Sequence, residues 1–396
     1  MEYSNKINRI CWGAFLIRIT VLLLIFLFQK ELGLYFMPND VFHDDEKYVT
    51  GALGYADQAK SLIDVSAFIS AMGDVGYYAE MNVEGGWFLF TSLFMYIFHN
   101  VWLLRLVNIL FAIISIYLLY KFAYKIYGKK VALNSARLLA FLPYPVFFCC
   151  FPFKDQFVMM LLLCGLNVAY DLVQDNNKIL KRIVILALLI TIIHFFRRGL
   201  DALLLLFSFY YYVTNIQVKG KLSNKILIYS ILVIVVFFLG SVFFEEVSHK
   251  LTAYSAKDYS GSRIMSLIAV EHIYDIWRLP FALAFSILLP FDLNQPLNTW
   301  YGIVSNINVI MMPFAIANVI YMFKPKKDKF LYWGLLSFYF AVIIMSLTIF
   351  RHYYCLLPIS LLFFSNYWNG IRQKQRSVVY GLSAILIMMV ILVYKF

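Results

Sequence analysis

Residues 41–58 read VFHDDEKYVTGALGYADQ, an acidic run that directly follows the first long hydrophobic segment of the chain. Asp44, Asp45 and Glu46 therefore lie in a loop beside hydrocarbon, where an idle carboxylate is tolerated only if it reaches water or a cation. An ordinary soluble loop on the outer side of a membrane explains this stretch equally well when it is taken alone. The distribution of charge along the rest of the chain decides between the two explanations.

The composition indicates an all-α polytopic membrane protein. Of the 396 residues, 62% are hydrophobic and only 14% are charged, and the mean hydropathy is +0.76. Such values do not describe a soluble protein, and we expect residues 1–396 to form a single integral membrane domain. The net charge of +12 does not indicate nucleic-acid binding, because Lys and Arg fall in short clusters between apolar runs, as in cytoplasmic loops.

Cysteine usage predicts neither a disulfide framework nor a thiol metal site. The five cysteines form no CxxC or Cys/His set, and all lie in or beside apolar runs. His43 next to Asp44 is weak support for a metal ligand, so no metal site is predicted. The first apolar run lacks a small-residue cleavage site after it, and it is therefore expected to be a retained signal anchor.

Eleven apolar segments approach the ~20 residues that a spanning helix needs. Their approximate ranges are 10–28, 101–121, 131–150, 156–173, 183–196, 200–215, 226–244, 302–323, 330–350, 353–368 and 377–395. With the N-terminus in the cytoplasm, every Lys/Arg cluster falls on the cytoplasmic face, as the positive-inside rule requires. These clusters are Lys6/Arg9, Lys121–Lys130, Lys178–Arg182, Lys219–Lys225, Lys324–Lys329 and Arg372–Arg376.

This orientation holds only if the apolar runs Trp87–Phe98 and Leu279–Phe291 do not cross the membrane. We expect both to be interfacial or re-entrant, the first in an outer loop of residues 29–100 and the second in an outer loop of residues 245–300. From Asp45 to Ala71 the first loop has helix-forming composition. An apolar stripe there predicts one or two amphipathic helices, and its positions are Val49, Leu53, Ala56, Ala59 and Leu62.

Four polar groups converge on the predicted outer face. They are Asp44-Asp45-Glu46, Lys154-Asp155, Arg197-Arg198 and Arg351-His352-Tyr353. Each has a purely structural explanation, such as a local ion pair in Lys154-Asp155, or snorkelling of the arginines to lipid headgroups. Their joint occurrence favours a site with two halves, because carboxylates can accept a proton from a hydroxyl and arginines can neutralise a phosphate. A membrane pocket with both halves suits group transfer from a lipid phosphate carrier.

Several short motifs resemble the GT-C superfamily of polyprenyl-phosphate-dependent glycosyltransferases, which includes protein O-mannosyltransferases and the lipid A aminoarabinose transferase. Asp45-Glu46-Lys47-Tyr48 resembles the DE-x-Y element of the first outer loop. GWFLFTSLFMYIFHNVWLLRLVNIL, at 86–110, resembles the interfacial segment followed by an LRLxN start to the second span. The run 125–155, with its proline turn and Lys-Asp end, and the segment 351–358 are similar to later elements. The HPPL-like element before the second span is missing, and no soluble C-terminal domain follows.

The resemblance and the charges together imply roles for the outer-face residues. Asp45, with Asp44 or Glu46 as a fallback, is expected to be the catalytic base. The expected ligands of the lipid phosphate are Arg351, Arg197, Arg198 and Lys154, and those of the sugar or acceptor are Asp155, Tyr48, His352 and Tyr353. No cofactor is required by the sequence, although a divalent cation on the loop acids is chemically compatible.

The sequence therefore predicts an inverting membrane glycosyltransferase that moves a sugar from a polyprenyl-(di)phosphate carrier to a hydroxyl of a glycan or lipid-linked glycan, in cell-surface polysaccharide assembly. Two alternatives stay open: a polymerase of lipid-linked repeat units of the O-antigen or capsule type, and a non-enzymatic flippase or transporter. Membrane lipid and a polysaccharide assembly complex are the further expected partners. The expected location is the bacterial cytoplasmic membrane, with the site facing the periplasm or outside.

Overall fold

A computed structural model of the chain describes residues 2–36, 44–74, 81–174, 178–197, 199–215, 297–322, 334–335 and 354–395. Within these ranges the chain is helical and contains no strand, which confirms the predicted all-α class. The helices are α1 Glu2–Leu27, α2 Gln29–Leu32, α3 Asp44–Gln58, α4 Val65–Asp74, α5 Met81–Phe98, α6 Val101–Tyr127, α7 Lys129–Phe141, α8 Pro143–Phe148, α9 Lys154–Gln174, α10 Ile179–Phe196, α11 Leu200–Asn215, α12 Trp300–Ile307, α13 Met312–Met322, α14 Leu357–Gly370 and α15 Gln373–Lys395.

Five stretches of described helix are long and apolar enough to cross a membrane. They cover residues 5–27, 101–127, 154–174, 179–196 and 300–317. The chain is thus a multi-pass membrane protein, as predicted. The predicted number of eleven spans stays a prediction, because the range 226–244 and all of 330–350 except residues 334–335 lie outside the described residues.

The predicted span 131–150 is two helices, α7 and α8, separated by Leu142. Leu142 is extended, with φ −65° and ψ 138°, as expected for a residue that precedes a proline. Pro143 has no N–H, so the helix cannot supply a donor for the carbonyl of Leu139. The side chain of Arg18, in the middle of α1, supplies it: Nη2 donates to Leu139 O at 3.1 Å and Nη1 to Ala140 O at 2.7 Å.

The lysine-rich turns meet at one end of the helix bundle, which we call the basic end and define by residues 127–130, 174, 178–182 and 370–376. Lys125 Nζ lies 2.7 Å from Asp171 Oδ1, and Arg182 Nη1 donates to Asp171 O at 2.8 Å. At the same end, α7 and α14 are joined by a hydrogen bond of 3.0 Å from Asn134 Nδ2 to Asn369 Oδ1. The clusters at 219–225 and 324–329 lie outside the described residues.

Helices do form in the predicted first outer loop, and their buried face agrees only in part with the predicted stripe. The fully buried side chains of α3 are Asp45, Tyr48, Val49, Ala52 and Tyr55. Of the predicted stripe, Val49 is buried, Leu53, Ala56 and Ala59 are partly buried, and Leu62 lies beyond the end of the helix and is exposed. The buried face packs against α5, which contains the predicted interfacial run Trp87–Phe98 and also packs against α10. The positions of these helices relative to the bilayer remain predictions, as does the second loop of 245–300, most of which is not described.

Candidate active site

The turn that follows α2 is tied to two distant helices. Gly33 has a φ of +84°, which favours glycine, and its carbonyl accepts a hydrogen bond of 2.9 Å from Trp300 Nε1 of α12. The carbonyl of Leu34 accepts a hydrogen bond from Arg105 Nη2 in the first turns of α6. Tyr301 N donates to Phe36 O at 3.0 Å. Residues 33–36 are therefore held at the end of the bundle opposite the basic end, which we call the loop end.

Asp45 is buried against this turn. Its Oδ2 accepts a hydrogen bond of 2.7 Å from Phe36 N, and the residue has no exposed surface. Its charge attracts the guanidinium of Arg105, which is also fully buried. Arg105 lies over the rings of Trp102 and Phe151, at 4.9 and 5.1 Å from their centroids. One carboxylate and one arginine thus form the first half of the candidate site.

Tyr35 and Glu46 border this half. Burial is the main reason that the pKa of the Tyr35 phenol is raised, and the charges of Glu46 and Asp45 raise it further, while a hydrogen bond with Thr50 lowers it. Tyr35 therefore stays a protonated phenol near the two acids. Glu46 is only partly buried, whereas Asp45 is fully buried, so the two candidate bases differ in access to solvent.

The second half of the site joins the start of α9 to the end of α10. Lys154, Asp155 and Arg197 are 7%, 2% and 6% exposed. Asp155 Oδ1 accepts a hydrogen bond from Arg197 Nη1, which in turn lies 3.8 Å from the thiol of Cys355. Asp155 of α9 thus pairs with Arg197 at the end of α10, and a local ion pair between Lys154 and Asp155 does not explain its burial. This group places two cations and one carboxylate in a site nearly closed to water.

A chain of hydrogen bonds connects this cluster to the segment before α14. Tyr354 Oη donates to Gln156 Oε1 at 2.6 Å, and Gln156 Nε2 donates to Ser115 Oγ of α6 at 3.1 Å. Tyr354 and Cys355 directly follow the predicted Arg351-His352-Tyr353 element. That element lies outside the described residues, but the residues that follow it are packed beside Asp155.

A layer of aromatic side chains lies between the acidic half and the cationic half and contacts both of them. The ring of Phe36 contacts those of Phe148, Phe151 and Phe153 at centroid distances of 5.6, 5.0 and 5.9 Å. Asn108 Nδ2 donates to Phe151 O at 2.6 Å. Because Phe36 binds Asp45 and Phe153 immediately precedes Lys154, the acidic half and the cationic half lie at the same end of the bundle.

The remaining predicted site residues are only partly accounted for. Tyr48 is fully buried in an aromatic cluster with Trp87 and Phe88. Asp44 begins α3, and its side chain lies outside the described part of the chain. Arg198, Arg351, His352 and Tyr353 also lie outside it. In the described ranges, no group of three or more His, Cys, Asp or Glu side chains could hold a metal ion.

Sequence reasoning did not assign roles to several residues that the structure brings to the site. Arg105 lies within the LRLxN motif, and its place in the first turns of an apolar helix is visible in the sequence, but its partners are not. Gln156 and Tyr354 carried no signal, because their pairing spans 198 positions of sequence. His194 Nδ1 lies 2.7 Å from Asp201 Oδ2, so the histidine three residues before Arg197 has an acidic partner on the next helix.

Comparison with known families supports the resemblance drawn from the motifs. Residues 86–244 match the family described as dolichyl-phosphate-mannose-protein mannosyltransferase. The match begins within α5, extends past α11 and includes Arg105, Lys154, Asp155 and Arg197. It covers 159 of the 396 residues and supports the similarity to membrane glycosyltransferases of the GT-C superfamily. Neither the curated proteins nor the solved structures gave a match.

Proposed function

We propose that this protein transfers a sugar from a polyprenyl-phosphate or -diphosphate carrier to a hydroxyl of a glycan or lipid-linked glycan on the outer face of the bacterial cytoplasmic membrane. The observation that carries this proposal is the buried cluster of Lys154, Asp155 and Arg197. Lysine and arginine side chains bind phosphate oxygens through charge-assisted hydrogen bonds. The cluster lies at the loop end, and the description of the matched family names a lipid phosphate carrier.

In the proposed reaction an acceptor hydroxyl attacks the anomeric carbon in a single displacement, so configuration inverts. The carboxylate of Asp45 takes the hydroxyl proton as the new glycosidic bond forms. The bond between the anomeric carbon and the phosphate oxygen breaks, and its electron pair stays on the departing phosphate. Arg197 and Lys154, with Arg198 and Arg351 as further proposed ligands, stabilise that charge.

The observed contacts refine the roles proposed for Asp155 and Asp45. Asp155 binds Arg197, so it orients this arginine and is less available to a sugar hydroxyl than the sequence alone suggested. Asp45 is held by Phe36 N, which donates to its Oδ2, and its carboxylate is the proposed proton acceptor. Glu46, which is partly exposed, is the fallback base. Tyr48, His352 and Tyr353 remain proposed contacts to sugar or acceptor, and a divalent cation remains compatible.

A pair of isosteric variants tests the base. The purified protein in liposomes is given radiolabelled polyprenyl-phosphate mannose and an acceptor glycan mixture. Asp45→Asn should lower transfer by about 10²-fold or more, because general-base catalysis contributes that much. Glu46→Gln, one residue away, should keep most of the activity. Loss in Glu46→Gln with full activity in Asp45→Asn would move the base to Glu46, and full activity in both variants would refute the acid-base half of the proposal.

A second pair tests the phosphate half. Arg197→Lys keeps the charge and the pairing with Asp155, whereas Arg197→Gln removes the charge. We expect Arg197→Gln to lose about 10²–10³-fold in turnover number and Arg197→Lys to retain part of it. Equal activity of Arg197→Gln and the parent would show that the pair is structural. Thermal stability in the same detergent separates this result from misfolding.

A polymerase of lipid-linked repeat units uses the same two halves, and only the acceptor would distinguish it. The described residues give little support to the transporter alternative. Transporters carry charged groups near the middle of several spans, but the buried mid-span charge of α1, Arg18, is fully engaged with helix-end carbonyls and Cys149. Sugar turnover by the isolated protein would exclude both a transporter and a non-catalytic member of an assembly complex.

A further inference from the structure

A groove opens between α7, α13, α14 and α15, away from the candidate active site. It has a volume of 420 Å³, within the usual range for small-molecule pockets. Its apolar wall consists of Leu138, Ile310, Pro313, Phe314, Phe364 and Trp368. The rings of Phe314 and Phe364 touch at a centroid distance of 4.2 Å, and Trp368 stacks on Phe364 at 5.2 Å. This wall suits a hydrocarbon chain.

Polar groups line the same groove, and two of them lack a described protein partner. Arg137 is exposed and makes no hydrogen bond or ion pair with any described residue. Ser365 is 1% exposed, and within the described ranges its hydroxyl has no hydrogen-bond partner. Asn134 also lines the groove, and its side chain donates to Asn369 Oδ1. The groove therefore combines a cation and an unused hydroxyl with an apolar wall.

The depth of Arg137 makes this arrangement costly without a ligand. It lies eight residues from the start of α7, about 12 Å along the helix axis from the basic end. In the predicted span 131–150, water is scarce at this distance from the basic end and a lone arginine is unfavourable, although its long side chain can reach toward the headgroup region. An anionic group that comes from the bilayer satisfies the guanidinium without bringing water into the hydrocarbon.

We propose that this groove binds an anionic phospholipid from the leaflet at the basic end. Its phosphate accepts hydrogen bonds from Arg137 and Ser365, and one acyl chain lies along the Phe314, Phe364 and Trp368 wall. The guanidinium fork matches the phosphate, and the surrounding lysines favour a negatively charged headgroup. The sugar donor is assigned elsewhere, because its proposed phosphate ligands Lys154 and Arg197 lie at the loop end.

Native mass spectrometry of the full chain tests the proposal with phosphatidylglycerol and phosphatidylethanolamine as probes. We expect retained phosphatidylglycerol and little phosphatidylethanolamine. Arg137→Gln should lower retained phosphatidylglycerol at least about fivefold and Ser365→Ala about twofold, whereas Arg137→Lys, which keeps the charge, should retain most of it. Arg372→Gln is the matched control, because it removes an exposed arginine of the basic end that does not line the groove.

Two outcomes would overturn the proposal. The first is equal loss of phosphatidylglycerol in Arg137→Gln and Arg372→Gln, which would reduce the effect to general surface charge. The second is displacement of phosphatidylglycerol by polyprenyl phosphate at equal mole fraction, in a manner that depends on Arg137. If Arg137→Gln does not fold, the contrast between Ser365→Ala and Arg372→Gln decides the matter, with equal retention in these two variants counting against the groove.

Discussion

At the residue scale, Arg18 shows how a buried charge can serve the backbone of a neighbouring helix. The proline at 143 leaves the buried carbonyls of Leu139 and Ala140 without helical donors, and unsatisfied buried backbone groups are costly. The guanidinium fills both positions and also donates to Ala14 O and to the thiol of Cys149. A buried charge in this protein is thus not by itself a sign of catalysis or transport.

Replacing this arginine should destabilise the fold. Arg18→Met removes the donors and leaves two buried carbonyls unsatisfied, so we expect a loss of about 2–4 kcal/mol in the free energy of unfolding. Arg9→Met, which removes an exposed arginine of the same helix, should change stability little. Thermal unfolding in detergent measures both variants. Equal melting temperatures for Arg18→Met and Arg9→Met would contradict the proposed role.

Asp64 makes α4 sensitive to acid. The pKa of its carboxyl is lowered from 3.8 to about 2, first by the hydroxyl of Ser66 and then by the backbone N–H groups of Ala67 and Lys60. Because the pKa is lowered on folding, this stabilisation is present above the unfolded value of 3.8 and is lost as the pH falls from there toward 2.

The acid effect can be followed by hydrogen exchange of residues 65–74. After correction for the intrinsic pH dependence of exchange, protection in the parent should fall between pH 4 and pH 2. In Asp64→Ala protection should already be low at pH 5. Asp57→Ala removes an exposed acid that does not cap α4, and it should behave as the parent does. A parent whose protection is constant down to pH 2 would be inconsistent with this capping role.

The residue types of the site were readable from the sequence, but their pairing was not. Lys154, Asp155 and Arg197 stood out because ionisable groups are rare beside apolar runs. That Asp155 binds Arg197 depends on how α9 packs against α10, a contact across 42 positions. Arg105 was visible within a motif, yet its partner Leu34 O is a backbone group, which no side-chain pattern can reveal.

At the element scale, the end of α10 that carries Arg197 is positioned by a close approach of α5. A Cβ atom placed on Gly86 would lie 2.7 Å from the carbonyl oxygen of Phe195, whereas one on Gly85 would meet nothing within 4 Å. The absence of a side chain at 86 therefore lets α5 contact the backbone just before Arg197.

Gly86→Ala and Gly85→Ala form a matched pair. Both replace a helical glycine and gain helix propensity of up to ~1 kcal/mol, but only Gly86→Ala forces the two backbones apart. We expect Gly86→Ala to lose about 1–3 kcal/mol of stability and to lower sugar transfer, while Gly85→Ala is neutral or stabilising. Melting temperature and turnover, measured on both, check this. Similar values for the two variants would mean that α5 does not position the end of α10.

Hydrophobicity predicted most described helices well but misplaced two features. The starts of α6 and α11 agree with the predicted segments 101–121 and 200–215. The break at Leu142 was missed because the run stays apolar through Pro143. The predicted stripe on α3 shares Val49 with the buried face but omits Tyr48 and Tyr55, because tyrosine fits both polar and apolar surroundings. Hydropathy reports how apolar a residue is, and packing decides which face is covered.

At the scale of the whole molecule, the two ends of the described helix bundle differ in the charged residues that they carry. The basic end holds lysines and arginines that face water or lipid headgroups, together with the Lys125–Asp171 pair. The loop end holds Asp45, Arg105, Lys154, Asp155 and Arg197, all buried. A lipid carrier whose phosphate reaches the second end can therefore place its sugar beside the acidic half, which is what the proposed transfer requires.

We expect the loop end to face outward and the basic end to face the cytoplasm, and cysteine labelling tests this orientation. Ser61, in the exposed turn between α3 and α4, and Gln373, at the exposed start of α15, mark the loop end and the basic end. In a background without the native cysteines, Ser61→Cys should react with a membrane-impermeant maleimide applied to cells with a permeabilised outer envelope. Gln373→Cys should react only after the cytoplasmic membrane is broken, because positive clusters stay in the cytoplasm. The reverse pattern would place the candidate site on the cytoplasmic side and remove the outer-face part of the proposed function, whereas labelling of both positions in intact membranes would show that the two ends are not separated by the bilayer.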